Sequence, residues 1–120
     1  VNKPHKIACD IISTGLTKLG IIKDSSGFKE FYMHNTGHWL GLDVHDVGAH
    51  KIKNDYRYFE EGMVTTVEPG IYIRKNDKID SKYWGIGVRI EDDILVNANG
   101  RDILSHSVVK EIIDIENLMN

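Results

Sequence analysis

The sequence predicts an α/β fold on three observations: an amphipathic helical stretch near the start, β-branched segments bounded by turn residues in the middle, and a second helical stretch near the end. From Lys6 to Leu19 the apolar residues Ile7, Ala8, Ile11, Ile12, Leu16 and Leu19 keep helical spacing, which predicts a helix with one buried stripe. Gly20 stands where a left-handed C-cap would end it. Gly15 costs this helix about 1 kcal/mol relative to Ala, so its presence predicts close packing against another element. Residues Lys23 to Lys29 read as a polar loop, and Phe31-Tyr32 lead into a histidine-rich segment. Met63 to Val67 and Ile71 to Ile73 are rich in β-branched residues, with Pro69-Gly70 between them, which predicts two strands or one strand bent at a turn. A strand from Ile86 to Val96 puts Ile86, Val88, Ile90, Ile94 and Val96 on one face and Arg89, Glu91 and Asp93 on the other, with Asp92 the one break in the apolar face. Asn97-Ala98-Asn99-Gly100 predicts a reversal, because Asn and Gly tolerate positive φ, and a strand from Asp102 to Ser105 would complete a hairpin. The tail from Val108 to Met119 predicts a helix with Val109, Ile112, Ile113, Leu118 and Met119 buried.

The bulk numbers narrow the class of function. At 120 residues the chain is at most one domain. A formal charge of -3, with both signs interspersed and no Lys/Arg block, excludes an electrostatic case for nucleic acid or an anionic membrane and favours a small-molecule or peptide substrate. Cys9 is the single cysteine, so no intramolecular disulfide forms and the cytoplasm is the expected compartment. No apolar run approaches the roughly 20 residues of a membrane span. The start at Val1, with no apolar signal-peptide core behind it, leads us to expect missing upstream sequence.

Three segments carry metal-ligand and acid/base side chains: His34-Asn35-Thr36-Gly37-His38 running on to His45-Asp46, then Glu68-Pro69-Gly70, then Arg89-Ile90-Glu91-Asp92-Asp93. His34 and His38 have the spacing of the helical HExxH zinc motif, but Asn35 replaces the general-base Glu and Asn-Thr-Gly is a poor helix interior. A turn or short strand is expected instead, so that only one of the two need face a metal. His45 is of opposite parity to His38, and extended backbone would send the two to opposite faces. The plain alternative is a set of surface or hydrogen-bonded histidines. Glu68 ends a strand before a Pro-Gly turn, at a sheet rim or simply in solvent. Glu91, if its strand is central and buried, demands a partner: Arg89 locally, or a cation.

Together, the strings from His34 to Asp46, from Gly62 to Tyr72 and from Gly85 to Asp93 resemble, in order and spacing, those of aminopeptidase P, the Xaa-Pro aminopeptidases of the pita-bread metallopeptidase family. The His38-to-Asp46 string separates this group from methionine aminopeptidases, which share the fold but lack it. The resemblance covers nearly the whole chain, including the opening helix and Ile115-Glu116-Asn117-Leu118-Met119. It implies the C-terminal portion of a pita-bread catalytic domain, a mainly antiparallel curved sheet with flanking helices, spanning residues 1–120. It implies His38, Glu68 and Glu91 as metal ligands, Glu91 bridging two manganese ions and Glu68 also taking a proton from the nucleophilic water. His34 and His45 are implied to contact substrate and steady the tetrahedral intermediate. Arg89, with Tyr72, is implied as a charge beside the metals.

The family's upstream half contributes two further aspartate ligands, and nothing in residues 1–33 resembles that motif; Asp10 and Asp24 do not occupy it. Asn35 also replaces the family's usual glycine, a change Asn tolerates at positive φ. The implied function is a metal-dependent aminopeptidase that releases the N-terminal residue from peptides with proline second, the complete protein forming a homo-oligomer. The alternatives are a prolidase-type dipeptidase and a catalytically incomplete fragment that binds peptide or metal.

Overall fold

A computed structural model describes residues 1–120. Helix α1 (Lys3–Lys18) opens on Pro4, which costs nothing in the first turn, where no carbonyl awaits its missing N–H. It ends in a Schellman motif: Gly20 takes φ 71°, its N–H donates to the Thr17 carbonyl, and Ile21 N–H donates to the Leu16 carbonyl. The buried face is narrower than the spacing predicts. Ala8, Ile12 and Leu16 are buried, whereas Ile7, Ile11 and Leu19 lie exposed. Nor does Gly15 mark close packing, since a Cβ there would meet nothing within 4 Å.

The expected polar loop after α1 contains a 3-10 turn over Ser25–Glu30, started by the Asp24 carboxylate accepting from the Ser26 N–H. It carries the chain back across α1, so that Ile21, Ile22, Phe31 and Tyr32 join Ala8, Ile12 and Leu16, with Ile73 and Ile79, in the core. Lys51–Ile52 (β1) and Asp55–Tyr56 (β2) form a small exposed hairpin around Lys53, the one non-glycine residue at positive φ, so Asn35 takes an ordinary conformation.

Every strand pair is antiparallel. Val64–Val67 (β3) pairs with Asp92–Asn97 (β6), which pairs in turn with Gly100–Ile103 (β7). Gly70–Tyr72 (β4) pairs with Gly87–Arg89 (β5). The single strand predicted from Ile86 to Val96 is therefore broken at Ile90 and Glu91. The register nonetheless runs on through the break: Val67 faces Asp92, Gly70 faces Arg89, and Ile90 N–H reaches the Pro69 carbonyl between them at 3.3 Å. Glu68 and Glu91 consequently fall opposite each other on one ladder. At the expected reversal, Asn97 pairs with Gly100, Asn97 Oδ1 accepts from the Asn99 N–H, and only Gly100 takes positive φ.

Helix α2 (Ile112–Met119) is shorter than predicted, and its apolar side chains are not buried: Ile112, Ile113, Leu118 and Met119 are all exposed, as is Val109 before it. Neither helix is long and apolar enough to cross a membrane. The accessible surface is 9004 Å², against about 6,600 Å² for a folded monomer of this size.

Candidate metal centre

Residues 36–40 run antiparallel to β3 as an added edge. Glu68 N–H donates to the Thr36 carbonyl at 2.6 Å, Thr66 N–H to the His38 carbonyl at 3.0 Å, and Leu40 N–H to the Val64 carbonyl at 3.1 Å. The strand period of two then puts Thr36, His38, Thr66 and Glu68 on one face, and Trp39 and Thr65, which form a bridge pair, on the other. Gly37 permits the approach, because a Cβ there would overlap the Thr66 backbone carbonyl. The sequence leads one to expect a turn or short strand here, but not its pairing with β3.

Glu68 is buried at 8% exposure, not solvated before its turn. Its carboxylate is held by two donors, Thr66 Oγ1 to Oε1 at 3.2 Å and Arg89 Nη1 to Oε2 at 3.2 Å, and His38 Nε2 faces Oε1 at 3.2 Å. Thr66 Oγ1 also accepts the His38 N–H at 3.0 Å, so one hydroxyl orients both residues. Behind them Thr36 Oγ1 meets the Tyr32 hydroxyl and, at 2.9 Å, His5 Nδ1. Sequence reasoning passed over Thr36, Thr66 and Tyr32, which lack the chemistry of a metal ligand, and His5, which stands outside the motif segments.

His38 Nδ1 faces the Trp39 carbonyl at 3.0 Å, and because a carbonyl only accepts, this nitrogen carries the proton and Nε2 is left for the site. His34 follows the same logic: Nδ1 donates to the Asn35 carbonyl at 2.7 Å, and Nε2 accepts from the Tyr72 hydroxyl at 3.1 Å. That hydroxyl in turn accepts from Arg89 Nε at 2.8 Å, a bond that raises the guanidinium above its ordinary pKa. His34, Tyr72 and Arg89 therefore form one group beside Glu68, apart from His38. His45 is brought back, against the parity expectation, because residues 41–46 do not stay extended. Gly41 N–H donates to the Asp43 carbonyl and Asp46 N–H to the Trp39 carbonyl, and the His45 ring stands edge-on to His38 with centroids 4.4 Å apart.

Glu91 completes the set. One ligand atom from each of His38, Glu68 and Glu91 lies within 4.8 Å of the others. Glu91 is exposed, contrary to a buried reading, although β6 is the central strand of its sheet. Like charges directly opposite on a ladder repel, and Arg89 touches only Glu68 of the two. One imidazole nitrogen with a tethered partner and two facing carboxylates is the donor set of a divalent cation, and these residues fit one.

Comparison with known proteins places the chain among metallopeptidases. The chain is 51% identical over 117 residues to the Xaa-Pro aminopeptidase of Haemophilus influenzae, covering 92% of this chain and 27% of that protein. Among solved structures it superposes on aminopeptidase PepP of Pseudomonas aeruginosa with a TM-score of 0.95 at 45% identity, covering 99% of this chain and 29% of that one. It superposes on Escherichia coli aminopeptidase P with the inhibitor Pro-Leu with a TM-score of 0.86 at 45% identity, covering 96% and 27%. The chain thus spans about a quarter of the length of the relatives it matches. Residues 2–98 match metallopeptidase family M24, and to that family the chain belongs.

Proposed function

We propose that this chain is the C-terminal portion of the catalytic domain of a manganese-dependent Xaa-Pro aminopeptidase, acting in the cytoplasm on peptides with proline in second position. The observation that carries the reading is the Glu68–Glu91 rung with His38 Nε2 3.2 Å from Glu68 Oε1. Its likeness to proteins named for Xaa-Pro cleavage, one of them holding Pro-Leu, supports the substrate class. An oxygen-rich set with a single imidazole favours manganese over a thiolate-seeking metal. A second ion would need carboxylates beyond the one group of candidate ligands gathered here, and the exposed apolar surface supports a covering upstream half. Assembly into a homo-oligomer belongs to the same reading.

A divalent cation, when bound, supplies Lewis acidity and a water of lowered pKa. His38, Glu68 and Glu91 would hold it. Glu68 also accepts the proton of the attacking water, its carboxylate kept in place by Thr66 and Arg89. His45, beside His38, and His34, beside Tyr72 and Arg89, contact the peptide and steady the tetrahedral intermediate. Arg89 positions Glu68 and, through Tyr72, His34.

The test is hydrolysis of an Xaa-Pro tripeptide by manganese-loaded protein beside its Glu68→Ala variant. Turnover that falls at least a thousandfold in the variant supports the proposal, and equal turnover overturns it. Cleavage confined to Xaa-Pro dipeptides would assign a prolidase-type enzyme. Manganese binding with no turnover by this chain would identify an incomplete fragment.

A further inference from the structure

We infer that Asp92, Ser105 and Lys110 form a clamp that positions Glu91 for the cation; this rests on the metal-centre reading above. Glu91 makes no hydrogen bond and no ion pair, of side chain or backbone. It faces a like charge across the ladder, which pushes it away from the place where the cation needs it. What holds it is therefore its two neighbours. On one side Ile90 N–H is tied to the Pro69 carbonyl at 3.3 Å. On the other side stands Asp92.

Asp92 projects to the sheet face opposite Glu91, the break in the apolar face that the sequence shows. Ser105 is its partner by register: Ile94 faces Ile103, Leu104 N–H donates to the Asp93 carbonyl at 2.8 Å, and the next step sets Ser105 beside Asp92. There Ser105 Oγ donates to Asp92 Oδ1 at 2.6 Å and accepts the Asp93 N–H at 3.1 Å. Lys110 Nζ lies 2.8 Å from the same Oδ1 and also donates to the carbonyls of Ser105 and Val108, at 3.3 and 3.0 Å. Both charged side chains are about three-quarters buried, at 26% exposure for Lys110 and 23% for Asp92, so solvent screens the pair less than it would a surface pair. The segment that follows β7 thus grips the residue next to Glu91 from the far side of the sheet. Ser105 and Lys110 never touch the cation and act as positioning residues.

The experiment measures manganese affinity of the full chain from the free-ion EPR signal, with far-UV circular dichroism as the fold control. Ser105→Ala and Lys110→Met are expected to weaken affinity about 10- to 100-fold, as for other supporting partners of metal ligands, while keeping the native spectrum. Lys110→Arg, which preserves the ion pair, restores the affinity. Wild-type affinity in both variants overturns the clamp, as does a loss of affinity that only accompanies unfolding and is not rescued by Lys110→Arg. Glu91→Gln separates the two readings. If it leaves affinity unchanged, the metal centre itself is wrongly assigned; if it weakens affinity while the clamp variants do not, only the clamp fails.

Discussion

Thr66 serves two site residues with one oxygen, accepting the His38 N–H and donating to Glu68 Oε1. Side chains of this kind leave no motif, because their value lies in what surrounds them after folding. Tyr32 is a second example. Burial pushes its hydroxyl above the ordinary value of 10.0, outweighing the bond to Thr36 that pulls it down. A group whose folded pKa is raised contributes stability that is full below the unfolded value and is lost as pH rises through the folded one. The wild-type protein should therefore lose stability above about pH 10 on this account. Tyr32→Phe should be about 1 kcal/mol less stable at neutral pH through the lost hydrogen bond, and the gap to wild type should shrink above pH 10. Chemical denaturation of both proteins at pH 7 and pH 10.5 checks this, and a gap that widens at high pH would contradict it.

Helix α1, strands β3 and β4 and the Asn97–Gly100 reversal were legible because each is specified locally, by a 3.6 period, by β-branched content between turn residues, or by residues that cap a turn. A turn or short strand is expected around His34–His38, but its pairing with β3 was not legible, since the partner lies almost thirty residues away and nothing local names it. Burial was the other failure. The period of α2 was read correctly, but a period tells which face is apolar and not whether anything covers it, and Ile112, Ile113, Leu118 and Met119 stay exposed. The motif histidines gave the candidate ligand types, while the chain of contacts from His34 through Tyr72 and Arg89 to Glu68 and His38 needed the fold. The 36–40 edge carries its own prediction. Gly37→Ala would drive a methyl group into the Thr66 carbonyl, a backbone atom that cannot swing away. The expected result is a loss of about 2–4 kcal/mol of stability together with manganese binding, whereas Gly15→Ala, inside a helix where the added methyl meets nothing, should gain about 0.5–1 kcal/mol. Denaturant melts of the two variants decide it.

Only 16 of the 120 residues are buried; nine form the apolar cluster around α1, and Trp39, Thr65, Thr66 and Glu68 are buried along β3 and its added edge. The radius of gyration is 16.6 Å, against about 14 Å for a compact domain of this length. Val88, Ile90, Ile103, Leu104 and the apolar residues of α2 together expose far more hydrocarbon than the scattered single residues of an ordinary surface. As a free monomer this chain should bind a hydrophobic dye such as ANS and self-associate at micromolar concentration. Dye fluorescence and light scattering measure both, and a monodisperse chain with no dye signal would mean that these faces close on one another in solution.

The shared register through Glu68 and Glu91 has a consequence for assembly as well as for chemistry. Two carboxylates set against each other in the middle of a ladder oppose the closing of the sheet around them, and a bound cation reverses the sign of that interaction. By mass action, a cation held there as proposed, at a hundred times its dissociation constant, would add about 2.7 kcal/mol to the folded state, and the cohesion of this sheet would then follow the free cation concentration around it.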